Sequence, residues 1–480
     1  MSTRLTEEQK VVHFLNRTSF GPTGEEVQKA KRLGIPAYLE EQLHPERISD
    51  SLVDEKLAGL KTMRLSSREL IELYPLPRQQ AGQQEMMGQQ QMQGPRAVIL
   101  ELQQARLLRS VYSQRQLYEI MVDFWSNHFN VFSAKGADRW LTTAYDRDTI
   151  RPHALGRFRD FLLATAQSPA MLFYLDNWLS ANPNAPAARM GGPNNRRRGL
   201  NENYARELME LHTLGVDGGY TQRDVQEVAR CLTGWTIRQP RGEGGFYFEP
   251  RIHDNGEKIV LGNRIPPGGG MEDGLRVIDL LSHHPSTARF VSLKLARRFI
   301  ADDPPPSLVN RGSEAFSKSD GDIPTVLRTL IDSPEFFSPE TYQAKVKKPL
   351  EFVASALRAT GAEVQLSHQL LRYLGRMGEP LFLAQPPTGY PDVAASWASP
   401  DMLLTRMNFA TDLTANRIPG SRLRLDALAG KDSFARLIAP DALSTATRSA
   451  LAETEGSQAI ALLMASTIAN DPNPISSRTA

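Results

Sequence analysis

The chain has 480 residues, of which 40% are hydrophobic and 23% are charged, a composition typical of a folded globular protein. Its 56 lysine and arginine residues nearly balance its 54 aspartate and glutamate residues. Proteins dedicated to nucleic acids need a large excess of positive charge, so we expect no nucleic-acid partner. The single cysteine, Cys231, excludes an intramolecular disulfide bond and a multi-cysteine zinc site.

The sequence predicts neither a membrane span nor a secretory signal. No segment approaches the roughly 20 consecutive apolar residues that a membrane-spanning helix needs, so we expect no membrane span. The first ten residues contain no apolar core of the kind found in secretory signals. The default expectation is therefore a soluble cytoplasmic protein.

Most of the chain shows helical periodicity. Apolar residues recur at helical spacing over 97–131 and over many later segments. Thr221 and Asp224 form a capping box, and Ser399, Pro400 and Asp401 make a typical helix start. The further predicted helices are 155–167, 201–214, 222–233, 272–283, 286–301, 322–333, 346–360, 367–376, 400–416 and 446–468.

Two segments have the composition of flexible loops. Residues 79–95 are rich in glutamine and glycine, and residues 181–199 mix proline, glycine and asparagine with three consecutive arginines. Neither can bury enough apolar surface to offset its loss of conformational entropy. We expect one domain over residues 1–480, with a core at about 13–416, these two loops, and a helical C-terminal extension.

The predicted helix at 117–131 presents two different polar groups. His128 falls on the same side as the apolar residues Phe124 and Trp125, whereas Asp123 lies on another face. A histidine in an apolar stripe is costly unless its ring nitrogens find partners or a metal. His128 is thus either a hydrogen-bonded core residue or a ligand.

The predicted helix at 201–212 carries Glu207 and His212 at the two edges of its apolar stripe. Metal sites in helical bundles are built from inward glutamate and histidine side chains. The Glu-x-x-His spacing of di-iron proteins would need a histidine at position 213, three residues after Glu210. Residue 213 is threonine, so this spacing is missing. The simpler interpretation of the neighbouring charges is a salt-bridge row of Glu202, Arg206 and Glu210.

A hairpin is predicted near residues 246–262. Residues 246–248 and 258–261 flank Asn255 and Gly256, a dipeptide that suits a tight turn. His253 stands at the predicted tip, where it either belongs to the turn or points into a cleft. No alternation of strands and helices follows, so the predicted fold class is mainly α, a large multi-helix domain with a small inserted β-hairpin.

Residues 385–391 form a proline-rich segment that contains Tyr390. A rigid segment with an aromatic side chain can line a pocket, or it can serve only as a connector. The sequence leaves both interpretations open.

Five blocks of sequence resemble the bacterial family called domain of unknown function 1800. They are MVDFWSNHFNVF (121–132), the long block 201–235, HDNGEKIVLG (253–262), 284–300 and 385–406. The resemblance runs from about His13 to Asn408. It implies one large helical domain and no particular reaction. It also implies relatives that are often exported and often encoded beside a sulfatase-like protein, a candidate partner here.

Two functions are consistent with these residues. The first is a metal-assisted enzyme of hydrolase type, using zinc, manganese or iron. Its predicted metal ligands are His128, His212 and His253, and its predicted catalytic carboxylates are Asp123 and Glu207. The same carboxylates could instead hydrolyse a glycoside without a metal, with Trp125 and Trp235 as sugar platforms. The second function is a non-catalytic binding or assembly protein that supports a partner enzyme.

Overall fold

The computed structural model describes residues 4–76, 94–186, 199–239, 244–342, 344–365, 367–424, 449, 451–454 and 456–466. Helices dominate these residues, so the predicted fold class is confirmed. In the N-terminal half the helices are α1 (Glu7–Thr18), α2 (Gly24–Leu33), α3 (Ile35–Leu43), α4 (Ser51–Leu57), α5 (Ser67–Leu73), α6 (Pro95–Tyr112), α7 (Gln116–His128), α8 (Asp138–Ala144), α9 (Arg151–His153), α10 (Phe158–Ala166), α11 (Pro169–Tyr174), α12 (Asn203–Glu207) and α13 (Gln222–Cys231).

The later helices are α14 (Met271–Ser282), α15 (Pro285–Phe299), α16 (Pro306–Lys318), α17 (Ile323–Ile331), α18 (Pro349–Thr360), α19 (His368–Arg376), α20 (Pro400–Thr414) and α21 (Gly456–Ser466). Most of them follow the predicted segments, but α16 was not predicted and α21 covers only part of the predicted 446–468. The predicted helix starts at Thr221 and Ser399 are confirmed, because each side chain accepts a hydrogen bond from the backbone of the first turn.

The helices α1–α5 were not predicted, although three of them begin with a capping box. The side chains of Thr6, Thr23 and Ser66 each accept a hydrogen bond from the backbone three residues later, and a Gln or Glu side chain returns the bond. These capping boxes open α1, α2 and α5. A search for the box would have located all three helices.

The predicted helical pattern over 97–131 is in fact two helices. Tyr112 ends α6 and Gln116 begins α7, with a polar turn between them. Within that turn the Ser113 hydroxyl donates to Asp50 and accepts from the backbone N–H of Arg115. Side-chain hydrogen bonds of this kind compete with the helical backbone pattern and end the helix.

The predicted hairpin pairing is wrong. Strand β1 (Trp235–Arg238) pairs with β2 (Gly245–Phe248), and β3 (Lys258–Val260) pairs with β4 (Asn263–Ile265), both antiparallel. The tight turn between β3 and β4 is Leu261–Gly262, whose φ angles are +49° and +77°. Two positive φ angles suit a two-residue hairpin turn, so Asn255 and Gly256 are left in a connecting loop. A third short pair joins β5 (Glu363–Val364) to β6 (Ser421–Arg422).

Buried apolar side chains form one dominant cluster that extends from Val11 in α1 to Met464 in α21. The C-terminal helix therefore shares the main core, while the predicted single-domain organisation stays a prediction. Of the two predicted flexible loops, residues 79–93 and 187–198 lie outside the described residues. The described start of the second loop is held by backbone hydrogen bonds from Ala181 to Gly199 and from Asn182 to Ile252.

None of the described helices is both long enough and apolar enough to cross a membrane.

Candidate functional site

One face of α7 is aromatic and buried. His128 is 2% exposed, and its ring packs against Trp125 and Phe129, with ring centroids 5.3 and 4.5 Å away. Its Nε2 lies 3.1 Å from the carbonyl oxygen of His212, so Nε2 carries the hydrogen and donates it. Nδ1 finds no hydrogen-bond partner among the described residues.

His212 reaches this face because its helix widens. Residues Leu208–Thr213 form a π-helix directly after α12, and the N–H of Leu214 donates to the carbonyl oxygen of Met209. The ring centroids of His212 and His128 are 6.2 Å apart. Burial lowers the pKa of His212 to about 3 and the pKa of His128 well below its usual value, and the charge of Lys294 acts in the same direction on both. Both rings are therefore neutral.

These two histidines have no acidic side chain as a hydrogen-bond partner among the described residues. Lys294 contributes a positive charge nearby. Glu207 is half-buried, and burial raises the pKa of its carboxyl group. Among the residues that the structure describes, no group of three histidine, cysteine or acidic side chains is arranged to hold a metal.

His253 lies in a different cluster. Its Nδ1 is 2.7 Å from the carbonyl oxygen of Thr233, and its Nε2 is 3.1 Å from Oδ2 of Asp273. The Lys258 ammonium donates to the same carboxylate oxygen at 2.5 Å. This buried network joins β3 to α14, and the described contacts of His253 include neither His128 nor His212. Thr233 and Asp273 thus engage both ring nitrogens of His253, and its role as a ligand together with His128 and His212 stays a prediction.

The opposite face of α7 is charged. Arg106 of α6 donates to Asp123 at 3.2 Å and to Ser126 at 2.8 Å. It also donates at 2.6 Å to Asp146, which lies in a π-helix, Tyr145–Ile150, that continues α8. The side chain of Asp123 is 15% exposed to solvent, whereas that of Arg106 is only 3% exposed. Asp123 is thus fixed by a buried cation and still reachable from solvent.

Lys348 approaches the same carboxylate from the start of α18. Its Nζ lies 3.7 Å from Oδ2 of Asp123 and 3.7 Å from Oδ1 of Asp392. Burial opposes the charged form, but Asp123, Asp392 and further carboxylates outweigh it and raise the pKa of Lys348. The ammonium therefore stays charged although it is buried.

Glu379 completes this cluster. Its Oε2 accepts a hydrogen bond from the backbone N–H of Leu350 at 2.8 Å. Burial raises the pKa of Glu379 to about 8, although Lys348 acts in the opposite direction. Asp123, Lys348 and Glu379 all line one cavity of about 410 Å³, which includes space open to solvent. We call this cavity the acid–base cleft.

The proline-rich segment forms one wall of the cleft. The Asn127 amide donates to the carbonyl oxygen of Tyr390 at 2.8 Å and accepts from its N–H at 2.7 Å. Gly389 has a φ of +69°, and a Cβ there would lie 2.4 Å from the backbone oxygen of Asn127. Only glycine permits this close approach. Of the two interpretations of this segment, the structure supports the pocket wall.

The proposed sugar platforms are wrong. Trp125 and Trp235 are both 0% exposed, so neither ring has a face available to a sugar. Each packs instead within the main core cluster. Of the predicted site residues, Asp123 alone lines the acid–base cleft.

Sequence reasoning missed Arg106, Lys348 and Glu379, which lie on three separate parts of the chain. One signal was present for Lys348. Residues 345–351 place three lysines directly before a proline and an acidic residue in the first turn of α18. Such a run of cations at a helix start opposes the helix dipole and favours a functional interpretation.

The fold and the cleft define a mainly helical protein with charged side chains gathered between α7 and the start of α18. Residues 13–471 match the family described as Protein of unknown function (DUF1800). The chain belongs to this family, which confirms the resemblance seen in the sequence. No curated protein and no solved structure matches the chain.

Proposed function

We propose that the protein is a hydrolase-type enzyme and that its reacting groups are Asp123 and Glu379 of the acid–base cleft. One observation carries this proposal. Two carboxyl groups line the same open cavity in contrasting surroundings, Asp123 beside two cations and Glu379 in a buried wall.

The contrast gives the two carboxyl groups different tasks. Asp123 lies beside the cations Arg106 and Lys348, whereas burial raises the pKa of Glu379 and so favours its protonated form. Paired carboxyl groups with different protonation states are the basis of acid–base hydrolysis. Glu379 would give its proton to the leaving group as the bond to it breaks. Asp123 would take a proton from the attacking water, and exchange with solvent would return both groups to their starting states.

The metal-assisted form of the enzyme hypothesis stays a prediction. It assigns zinc, manganese or iron to His128, His212 and His253, with Glu207 as a further ligand or base. Elemental analysis of the purified protein tests it directly. The steps proposed for Asp123 and Glu379 do not depend on its result.

The proposed function is tested by isosteric variants. We expect Asp123→Asn and Glu379→Gln each to lower kcat at least about 100-fold against whichever ester, glycoside or phosphoester substrate the wild type hydrolyses. The matched control is Glu314→Gln, because Glu314 is exposed and pairs only with Lys318 in its own helix. Activity that survives in both cleft variants would exclude this mechanism.

The non-catalytic alternative predicts a different outcome. A binding protein that supports a sulfatase-like partner would show no turnover that Glu379→Gln removes. It would instead co-purify with that partner, and the partner's activity would depend on it. Screening both readouts in one preparation separates the two functions.

A further inference from the structure

A second cavity adjoins the acid–base cleft and is rich in cations. Its volume is about 900 Å³, including the space open to solvent at its mouth. Two carboxylates, Glu351 and Asp392, line it. Five cationic side chains line it as well: Arg17, Arg298, Lys345, Lys347 and Lys348.

Three of the five cations already have carboxylate partners. Arg298 lies 2.6 Å from Glu351, and Lys345 lies 2.5 Å from Asp302. Lys348 is shared between Asp123 and Asp392, as described above. Both carboxylates of the cavity wall therefore already form ion pairs, Glu351 with Arg298 and Asp392 with Lys348.

Arg17 and Lys347 are the exceptions. Arg17 is 5% exposed, and its guanidinium donates to the carbonyl oxygen of Thr341 at 2.8 Å, without an ion pair to any described carboxylate. The Lys347 ammonium forms no hydrogen bond and no ion pair with any residue in the described part of the chain. Glu351 acts on both cations only through the longer-range field. Arg17 is buried without a counter-ion, and Lys347 is half-buried without one among the described residues. Partial desolvation of an unpaired cation is costly, and an anion in the cavity would reduce that cost.

We propose that this cavity binds an oxyanion group, such as a phosphate, a sulfate or a carboxylate, between Arg17 and Lys347. The guanidinium offers two parallel N–H donors to two oxygens, and the ammonium offers up to three further donors. Burial lowers the pKa of Arg17 to about 9 and that of Lys347 to about 8, so both groups are mainly charged at pH 7. His13, on the same wall, is neutral because burial lowers its pKa to about 3.

The position of the cavity gives the anion a role. Lys348 lines both the cavity and the acid–base cleft, so a substrate with an anionic group in the cavity would extend past Lys348 towards Asp123 and Glu379. This role in substrate binding rests on the proposed function. Binding of the anion itself does not.

Isothermal titration calorimetry with inorganic phosphate, sodium sulfate and sodium acetate tests the site, at pH 7 and constant ionic strength set with chloride. We expect saturable binding of at least one of the three anions. Lys347→Met should weaken it roughly tenfold or more, the effect of one charge-assisted hydrogen bond. The variant should keep its fold, because the ammonium has no partner to lose. Lys318→Met, which removes an exposed lysine, should bind like the wild type.

Two results would overturn the proposal. One is the absence of binding for all three anions, and the other is a Lys347→Met variant that binds as tightly as the wild type. Arg17→Lys, which keeps the charge but loses the fork of donors, adds a second check and should weaken the binding of each anion that the wild type binds. Glu379→Gln should bind the anion normally. Anion binding without any turnover would therefore reject the proposed function and leave this site in place.

Discussion

Helix α7 carries two polar residues, Asp123 and His128, that meet opposite surroundings. His128 packs among aromatic rings and donates a single hydrogen bond to a backbone carbonyl. Asp123 lies against Arg106 and Lys348 at the edge of an open cavity. The same helix thus presents a neutral, sealed face and a charged, accessible one. The type of residue suggested a site on both faces, and the packed neighbours decide which face can carry chemistry.

The two faces also differ in how they affect the ionisation of buried groups. On the aromatic face no counter-ion offsets desolvation, so burial lowers the pKa of both His128 and His212. On the charged face burial also opposes ionisation of Asp146, but Arg106, Arg151 and Arg109 outweigh it and lower its pKa. Buried ionised groups persist where partners surround them and are neutralised elsewhere.

The largest expected effect comes from breaking the charged face. Arg106→Met removes the cation shared by Asp123 and Asp146. Asp146 then keeps only the longer ion pair with Arg109, at 3.9 Å, and Asp123 only that with Lys348, at 3.7 Å. We expect the free energy of unfolding to fall by about 3–5 kcal/mol. Urea unfolding followed by circular dichroism measures it, with Arg68→Met as an exposed control. A loss below about 1 kcal/mol, the usual range for surface pairs, would mean that this network is solvated.

The aromatic face should respond in stability and not in activity. His128→Ala leaves a cavity among Trp125, Phe129 and His212, and we expect it to cost about 2–4 kcal/mol. His128→Phe keeps the packing and should cost less. Both variants should retain wild-type kcat at temperatures where they remain folded. Loss of activity or of a bound metal in the well-folded His128→Phe variant would instead support the metal hypothesis.

A smaller effect should appear as a pH dependence of stability. The pKa of Glu379 is about 8 in the folded protein and near 4.5 when the chain is unfolded, so the folded state holds the proton more tightly. Stability should therefore fall as pH rises from 4.5 to 8. Histidines with lowered pKa values change stability in the opposite direction below about pH 6.5, so the window from pH 6.5 to 8 avoids them. Lys347, whose pKa is about 8, and His283, whose pKa is raised by its hydrogen bond to Asp279, also titrate near this window, so a Glu379 variant is needed to separate its contribution.

The measurement compares the wild type with Glu379→Gln across that window. The wild type should lose up to about 2 kcal/mol relative to the variant between pH 6.5 and pH 8. The charged groups that face Glu379 are Lys348, Asp123, Glu351 and Arg406, and all are retained in both proteins. Parallel stability profiles would show that Glu379 does not hold its proton in the folded state.

Signals that lie within one helical turn correctly predicted where two helices begin. The capping box at Thr221 and the Ser399–Pro400 start act within one helical turn, so the sequence alone contains the whole interaction. The hairpin failed for the opposite reason. Asn255 and Gly256 suit a turn, but the strand that contains residues 246–248 pairs with residues 235–238, which precede it in the chain. Two pairings compete for this strand, and the turn dipeptide alone does not decide between them.

The amino-acid sequence was sufficient to predict the helical architecture, the family, the carboxylate of Asp123 in the cleft and, as one of two alternatives, the wall that contains Tyr390. Periodicity, helix caps and family motifs depend on residues that are close together in the sequence, so they can be recognised before the fold is known. Only the tertiary structure brought Arg106, Lys348 and Glu379 to Asp123, because these residues lie far apart along the chain. The tertiary structure also raises the pKa values of Lys348 and Glu379, because burial and the distance to a counter-ion, which set these shifts, do not exist until the helices pack.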